Sequence, residues 1–249
     1  MRRPLIAGNW KMHLTIPAAR ALAAAVGKAA EGLGDRDVLI APPFTMLEAV
    51  REAAGNRALL AGQNVCWEEQ GAFTGEVAPG MLREVGCTMA IVGHSERRQI
   101  FGETNGLVNR RVAGAIKFGL VPILCIGETL SEREAGATFA VLETQLKEGL
   151  AGIGVAGAEQ LVIAYEPVWA IGTGKTATAE QAQEVHAFVR QTVASLFEKN
   201  IAGQMRILYG GSVNPANVDE LMRQADVDGA LVGGAALKAE SFERIIHFQ

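Results

Sequence analysis

The chain has 249 residues, 49% of them hydrophobic and 20% charged, the balance of an ordinary globular protein. A formal net charge of −4 and a sequence pI near 5.7 argue against nucleic-acid binding as the main role. No apolar run reaches the ~18 residues that a membrane span needs, so no membrane partner is expected.

In chain order, short apolar runs alternate with helix-like stretches. A strand is expected at Leu5–Gly8, then a helix at Ala18–Ala30, a strand at Val38–Ala41, a helix at Met46–Ala54 and strands at Ala58–Gly62 and Met89–Gly93. A helix at 107–118 follows, then a strand at Val121–Ile126, a helix at 137–150, a strand at Leu161–Tyr165 and a helix at 180–198. A strand at Arg206–Tyr209, a helix at 218–224 and a strand at Ala230–Gly233 complete the series. Runs without strict alternation read as strands buried on both faces. About eight strand–helix repeats imply parallel strands joined by right-handed crossovers.

Two arrangements compete, an open doubly wound sheet and a (β/α)8 TIM barrel. Polar or glycine residues sit at or just past the end of nearly every strand, including Asn9, Lys11, Gln63, His94, Glu128, Glu166, Gly210 and Gly233. In a barrel that rim is the active face, whereas an open sheet shows the pattern only at its switch point. One barrel domain over residues 1–249 is therefore expected.

Some motifs mislead. Gly152 to Gly157 fits G-x-G-x-x-G but follows a helix and precedes a strand, the reverse of a dinucleotide site. Gly174-Lys175-Thr176 resembles the end of a P-loop, but Trp169 stands where its first glycine belongs. The four histidines form no zinc-binding pair, so no metal and no cofactor are expected. The cysteines Cys66, Cys87 and Cys125 are odd in number and widely spaced, which reads as reduced thiols in the cytoplasm. The apolar stretch after Met1-Arg2-Arg3-Pro4 is too short for a signal peptide.

The residues that carry chemistry lie on the rim. Glu166 ends an apolar strand, where lost hydration raises a carboxyl pKa and strengthens a base. After it, Pro167 to Lys175 runs apolar between a proline and a Gly-Thr-Gly end, the composition of a lid that excludes water. His94 precedes Ser95, an expected helix N-cap, and a helix start together with Lys11 favours a neutral imidazole. Asn9 and Lys11 are two residues apart and share a face, so Lys11 is placed to hold an anion or polarise a carbonyl. Glycines after the last two strands, Gly210-Gly211 and Gly233-Gly234, with Ser212, suit a phosphate. A base, a neutral donor, a cation, a phosphate cradle and a lid together describe proton transfer beside a carbonyl.

The matching runs are Ala7-Gly8-Asn9-Trp10-Lys11-Met12, Gly71 to Glu76, Val92 to Arg98, Cys125 to Thr129, Ala164 to Gly174, Tyr209 to Val213 and Val232 to Ala235. In these the chain resembles the triosephosphate isomerase family along essentially its whole length. The resemblance implies cofactor-free interconversion of dihydroxyacetone phosphate and D-glyceraldehyde 3-phosphate through an enediolate, in glycolysis and gluconeogenesis. It makes Glu166 the base, His94 the neutral electrophile and proton shuttle, and Lys11 and Asn9 the charge stabilisers, with Glu96 pairing Lys11. Backbone groups of Gly172, Gly233 and Gly234, with Ser212, would bind the phosphate of the triose phosphate substrate. Residues 168–174 would form the lid and Tyr209 would contact it. A homodimer is implied, with Thr74 of one chain nearest Asn9 and Lys11 of the other. Two departures are His13-Leu14, where Asn-Gly is common, and Ala235, where Ser is common; they touch only peripheral contacts. Fold alone leaves open another phosphosugar isomerase or a non-catalytic phosphate-binding barrel.

Overall fold

A computed structural model of the chain describes residues 2–170 and 176–249. Gly172, and with it residues 171–174 of the expected lid, lie outside the described residues.

Eight strands form a closed parallel barrel in sequence order. They are β1 (Leu5–Asn9), β2 (Asp37–Ala41), β3 (Leu59–Gly62), β4 (Met89–Val92), β5 (Val121–Ile126), β6 (Val162–Tyr165), β7 (Arg206–Tyr209) and β8 (Gly229–Val232). Closure is direct: Leu5 pairs with Gly229 across β1 and β8, as it pairs with Asp37 across β1 and β2. The open doubly wound alternative is thereby excluded.

Strand alternation divides the apolar residues into two layers. One set, including Leu5, Ala7, Met89, Ile91, Cys125, Val162, Ala164, Leu208 and Leu231, fills the barrel. The alternate set, including Ile6, Leu60, Val92, Ile163, Tyr165, Ile207 and Val232, packs outward beneath the helices. Both strand faces are therefore buried, which is why the strands read as continuous apolar runs.

The six expected helices are present as Ile16–Ala29, Leu47–Ala54, Asn105–Lys117, Thr138–Gly149, Ala179–Leu196 and Val218–Met222. Pro17 starts the first of these, in the turn where a missing N–H costs nothing. Thr178 caps the 18-residue helix Ala179–Leu196 in a reciprocal box with Gln181. Four further helices escape the sequence reading: Pro79–Glu84, Leu130–Glu134, Lys199–Gln204 and Ala239–Ile246. The first three are a turn or so long, too short for a 3.6-residue period to register.

Candidate active site

The inward phase of each strand continues onto the C-terminal rim and fixes what faces the mouth. Leu5 and Ala7 lead to Asn9, Ala61 to Gln63, Val162 and Ala164 to Glu166, Leu208 to Gly210, and Leu231 to Gly233. β4 is the exception, because its phase would put Gly93 inward rather than His94. Gly93 has φ 68, and this left-handed turn redirects the chain so that His94 reaches the mouth. A cavity of about 430 Å³ results, lined by Asn9, Lys11, His94, Glu166, Ser212, Gly233 and Gly234 among others.

Glu166 is 2% exposed and makes two contacts with the start of a short helix, Ser95–Gln99. His94 Nε2 lies 2.9 Å from Glu166 Oε1, and the Ser95 N–H donates to Oε2 at 2.9 Å. Ser95 is the first helical residue rather than the cap. His94 is the cap: its Nδ1 accepts the Glu96 N–H at 3.2 Å. An Nδ1 that accepts leaves the proton on Nε2, which is the tautomer of a neutral donor.

The charges differ in detail from the sequence expectation. Burial pushes the Glu166 carboxyl up, as expected, but His94, the Ser95 N–H and Lys11 outweigh it and hold it below the ordinary glutamate value. Burial disfavours imidazolium at His94, yet the adjoining Glu166 carboxylate overcomes this and holds the resting imidazole above the ordinary histidine value. These shifts belong to the resting contact between the two side chains. Apart from Glu166, burial and Lys11 disfavour charge on the ring, and the nearby Glu96 carboxylate favours it.

Lys11 has φ 49, an unusual left-handed conformation for a lysine. Its N–H donates to Asn9 Oδ1 at 3.0 Å, and its carbonyl accepts from Gln63 Nε2 at 2.8 Å. Gln63 also donates to Ala41 O at 2.9 Å, so it ties the β1 turn to β2. Lys11 Nζ meets Glu96 Oε1 at 2.6 Å, the pairing that the resemblance implied. The departures noted in the sequence are less peripheral than expected. His13 and Ala235 line the cavity. Leu14 has φ 79, the conformation that favours glycine, at a cost of about 1–2 kcal/mol; its side chain packs against the outer core.

The glycines at the end of β7 have a steric reason beyond phosphate. A Cβ on Gly210 would lie 2.8 Å from Glu166 Cγ, and one on Gly211 would overlap the Tyr209 hydroxyl. Gly127 is constrained likewise, since its Cβ would overlap the Glu166 carbonyl oxygen. Tyr209 is buried, and burial pushes its hydroxyl up to about 12. Thr74 is exposed and does not line the cavity of its own chain. Sequence reasoning did not find Gln63 as the support of Lys11, the Ser95 N–H as a partner of Glu166, or Gly127 as the space beside it. Gln63 carried a signal, its place on the rim; the other two act through backbone and carried none.

The triosephosphate isomerase family model matches residues 4–249. The chain belongs to the triosephosphate isomerase family. It is 55% identical to the triosephosphate isomerase of Syntrophotalea carbinolica over 250 aligned positions, covering 100% of this chain and 99% of that one. It is 54% identical to those of Trichlorobacter lovleyi and Geobacter metallireducens, with 100% of both chains covered in each case.

Proposed function

We propose that this family member interconverts dihydroxyacetone phosphate and D-glyceraldehyde 3-phosphate through an enediolate, without a cofactor. The observation that carries the reading is the buried Glu166 carboxylate 2.9 Å from an imidazole whose Nδ1 is occupied by an amide. Substrate oxygens take over the His94 Nε2–H and free Glu166 to face carbon. Glu166 removes a proton from C1 of dihydroxyacetone phosphate and returns it to C2. His94 meanwhile moves a proton between the two oxygens. Lys11 and Asn9 offset the negative charge that develops on oxygen. Ser212 and the backbone of Gly233 and Gly234 hold the phosphate; Gly172 belongs to this set by resemblance. By resemblance, residues 168–174 are the lid that keeps water from the enediolate, and Tyr209 is its contact.

The same reading gives a single barrel domain and a homodimer in the cytoplasm. Large exposed apolar side chains support the dimer. Met12 is 92% exposed, and Ile100 and Phe101 are 72% and 67% exposed. They follow β1 and β4, on the side of the barrel where the exposed Thr74 loop follows β3. All three cysteines are free and buried, which suits a reducing compartment.

Glu166→Gln tests the assignment. It keeps the shape and removes the base, so turnover should fall by about 10²–10⁴-fold, while inorganic phosphate still binds. Unchanged turnover would assign the base elsewhere.

A further inference from the structure

The chain around Glu166 is bolted to the end of β5. The Glu166 N–H donates to Ile126 O at 2.7 Å, and the Val168 N–H donates to Glu128 O at 3.1 Å. The Glu128 side chain is fully buried and adds an anchor on each side of the base. Its Oε1 accepts the Tyr165 hydroxyl at 3.2 Å and the Trp169 Nε1–H at 2.9 Å. Its Oε2 is buried and meets no hydrogen-bond donor among the described residues. A carboxylate in that position needs a cation close by. Among the described residues that cation is Arg133, whose Nη1 lies 3.1 Å from Oε1. The Arg133 guanidinium also lies 4.6 Å from the centre of the Trp169 ring. One side chain thus touches both the buried charge and the ring which that charge holds. Arginine suits both contacts, because a planar guanidinium forms an ion pair at its edge and stacks on its face.

The geometry points to Arg133 as a positioning residue for the reaction. It pairs with the buried Glu128 side chain that holds Tyr165 and Trp169, and so fixes the stretch of chain that carries Glu166. Arg133 does not line the cavity and touches no reacting atom. Its role rests on the reading of Glu166 as the base.

The test compares wild type, Arg133→Met, Arg133→Lys and the double variant Glu128→Gln/Arg133→Met. It reads kcat, KM, inhibition by inorganic phosphate and melting temperature. Arg133→Met should lower kcat by about 10- to 100-fold, since a misplacement of about 1 Å can cost about 10²-fold. Phosphate inhibition should change far less than kcat, because Ser212, Gly233 and Gly234 lie on other loops and only Gly172 follows Trp169 in the chain. The double variant removes the unpaired charge and keeps an acceptor for Tyr165 and Trp169, so it should recover most of the lost kcat. Arg133→Lys keeps the charge without the planar stack and should fall between. Wild-type kcat in folded Arg133→Met, or no recovery in the double variant, overturns the role. Should Arg133→Met fail to fold, Arg133→Lys decides: a kcat lowered by more than phosphate inhibition changes supports the role, and wild-type kcat overturns it. Full turnover in Glu166→Gln would sink the reading of the base and this inference with it; an unaffected Arg133→Met sinks the inference alone.

Discussion

Glu166 works within a space that its neighbours leave by lacking side chains. Gly210 is the clearest case, because an added Cβ would press on Glu166 Cγ at 2.8 Å. Gly210→Ala should displace the carboxylate and lower kcat toward the ~10²-fold loss that a misplacement of about 1 Å can bring. The loss in kcat should exceed any rise in KM, because the close contact is with Glu166, although Ser212 follows on the same loop. A steady-state comparison in which KM rises and kcat holds would place Gly210 in the phosphate cradle instead. Asn9, Lys11, His94 and Glu166 were legible in the sequence, because charged or polar residues ending apolar strands stand out. The resting charges of Glu166 and His94 were not, since they arise from a contact between β6 and the loop after β4. The strain at Leu14 was equally hidden, as a leucine gives no warning of φ 79.

At the scale of elements, short continuous apolar runs carried most of the information and placed eight strands within a residue or so of their ends. Two-residue spacing set which residues face the mouth. It could not foresee that Gly93 would break the phase and turn His94 inward. The long helix Ala179–Leu196 hides a second feature. His186 on it is fully buried, with Nδ1 3.2 Å from Asp226 O and its ring beside Tyr165 and Tyr209. Burial disfavours its charged form and brings its pKa down to about 4 from the ordinary histidine value of 6.5. The unfolded chain then binds the proton first as pH falls. The neutral native ring loses stability from about pH 6.5 down to about pH 4, by on the order of 3 kcal/mol in all. Urea unfolding midpoints should fall across that window, and His186→Asn should flatten the slope. An equal slope in both proteins would assign the acid sensitivity to other groups.

For the whole molecule, the barrel was legible because both of its apolar layers left a mark, the inner set and the outer set alternating along every strand. The proposed dimer has a fainter signature, in side chains such as Met12 and Phe101 that a single chain leaves in water. Light scattering at micromolar protein should give twice the 26.3 kDa of one chain. A mass of one chain would remove the dimer, and with it the place of Thr74 beside a neighbour's Lys11.

Proton abstraction from carbon is the step on which the functional reading turns. Dihydroxyacetone phosphate incubated with the purified protein in deuterated water should exchange its C1 hydrogen for deuterium, as followed by NMR. Glu166→Gln should slow that exchange along with turnover. Turnover to D-glyceraldehyde 3-phosphate without solvent deuterium in either triose, or no exchange at all, would contradict a carboxylate base that opens to an enediolate.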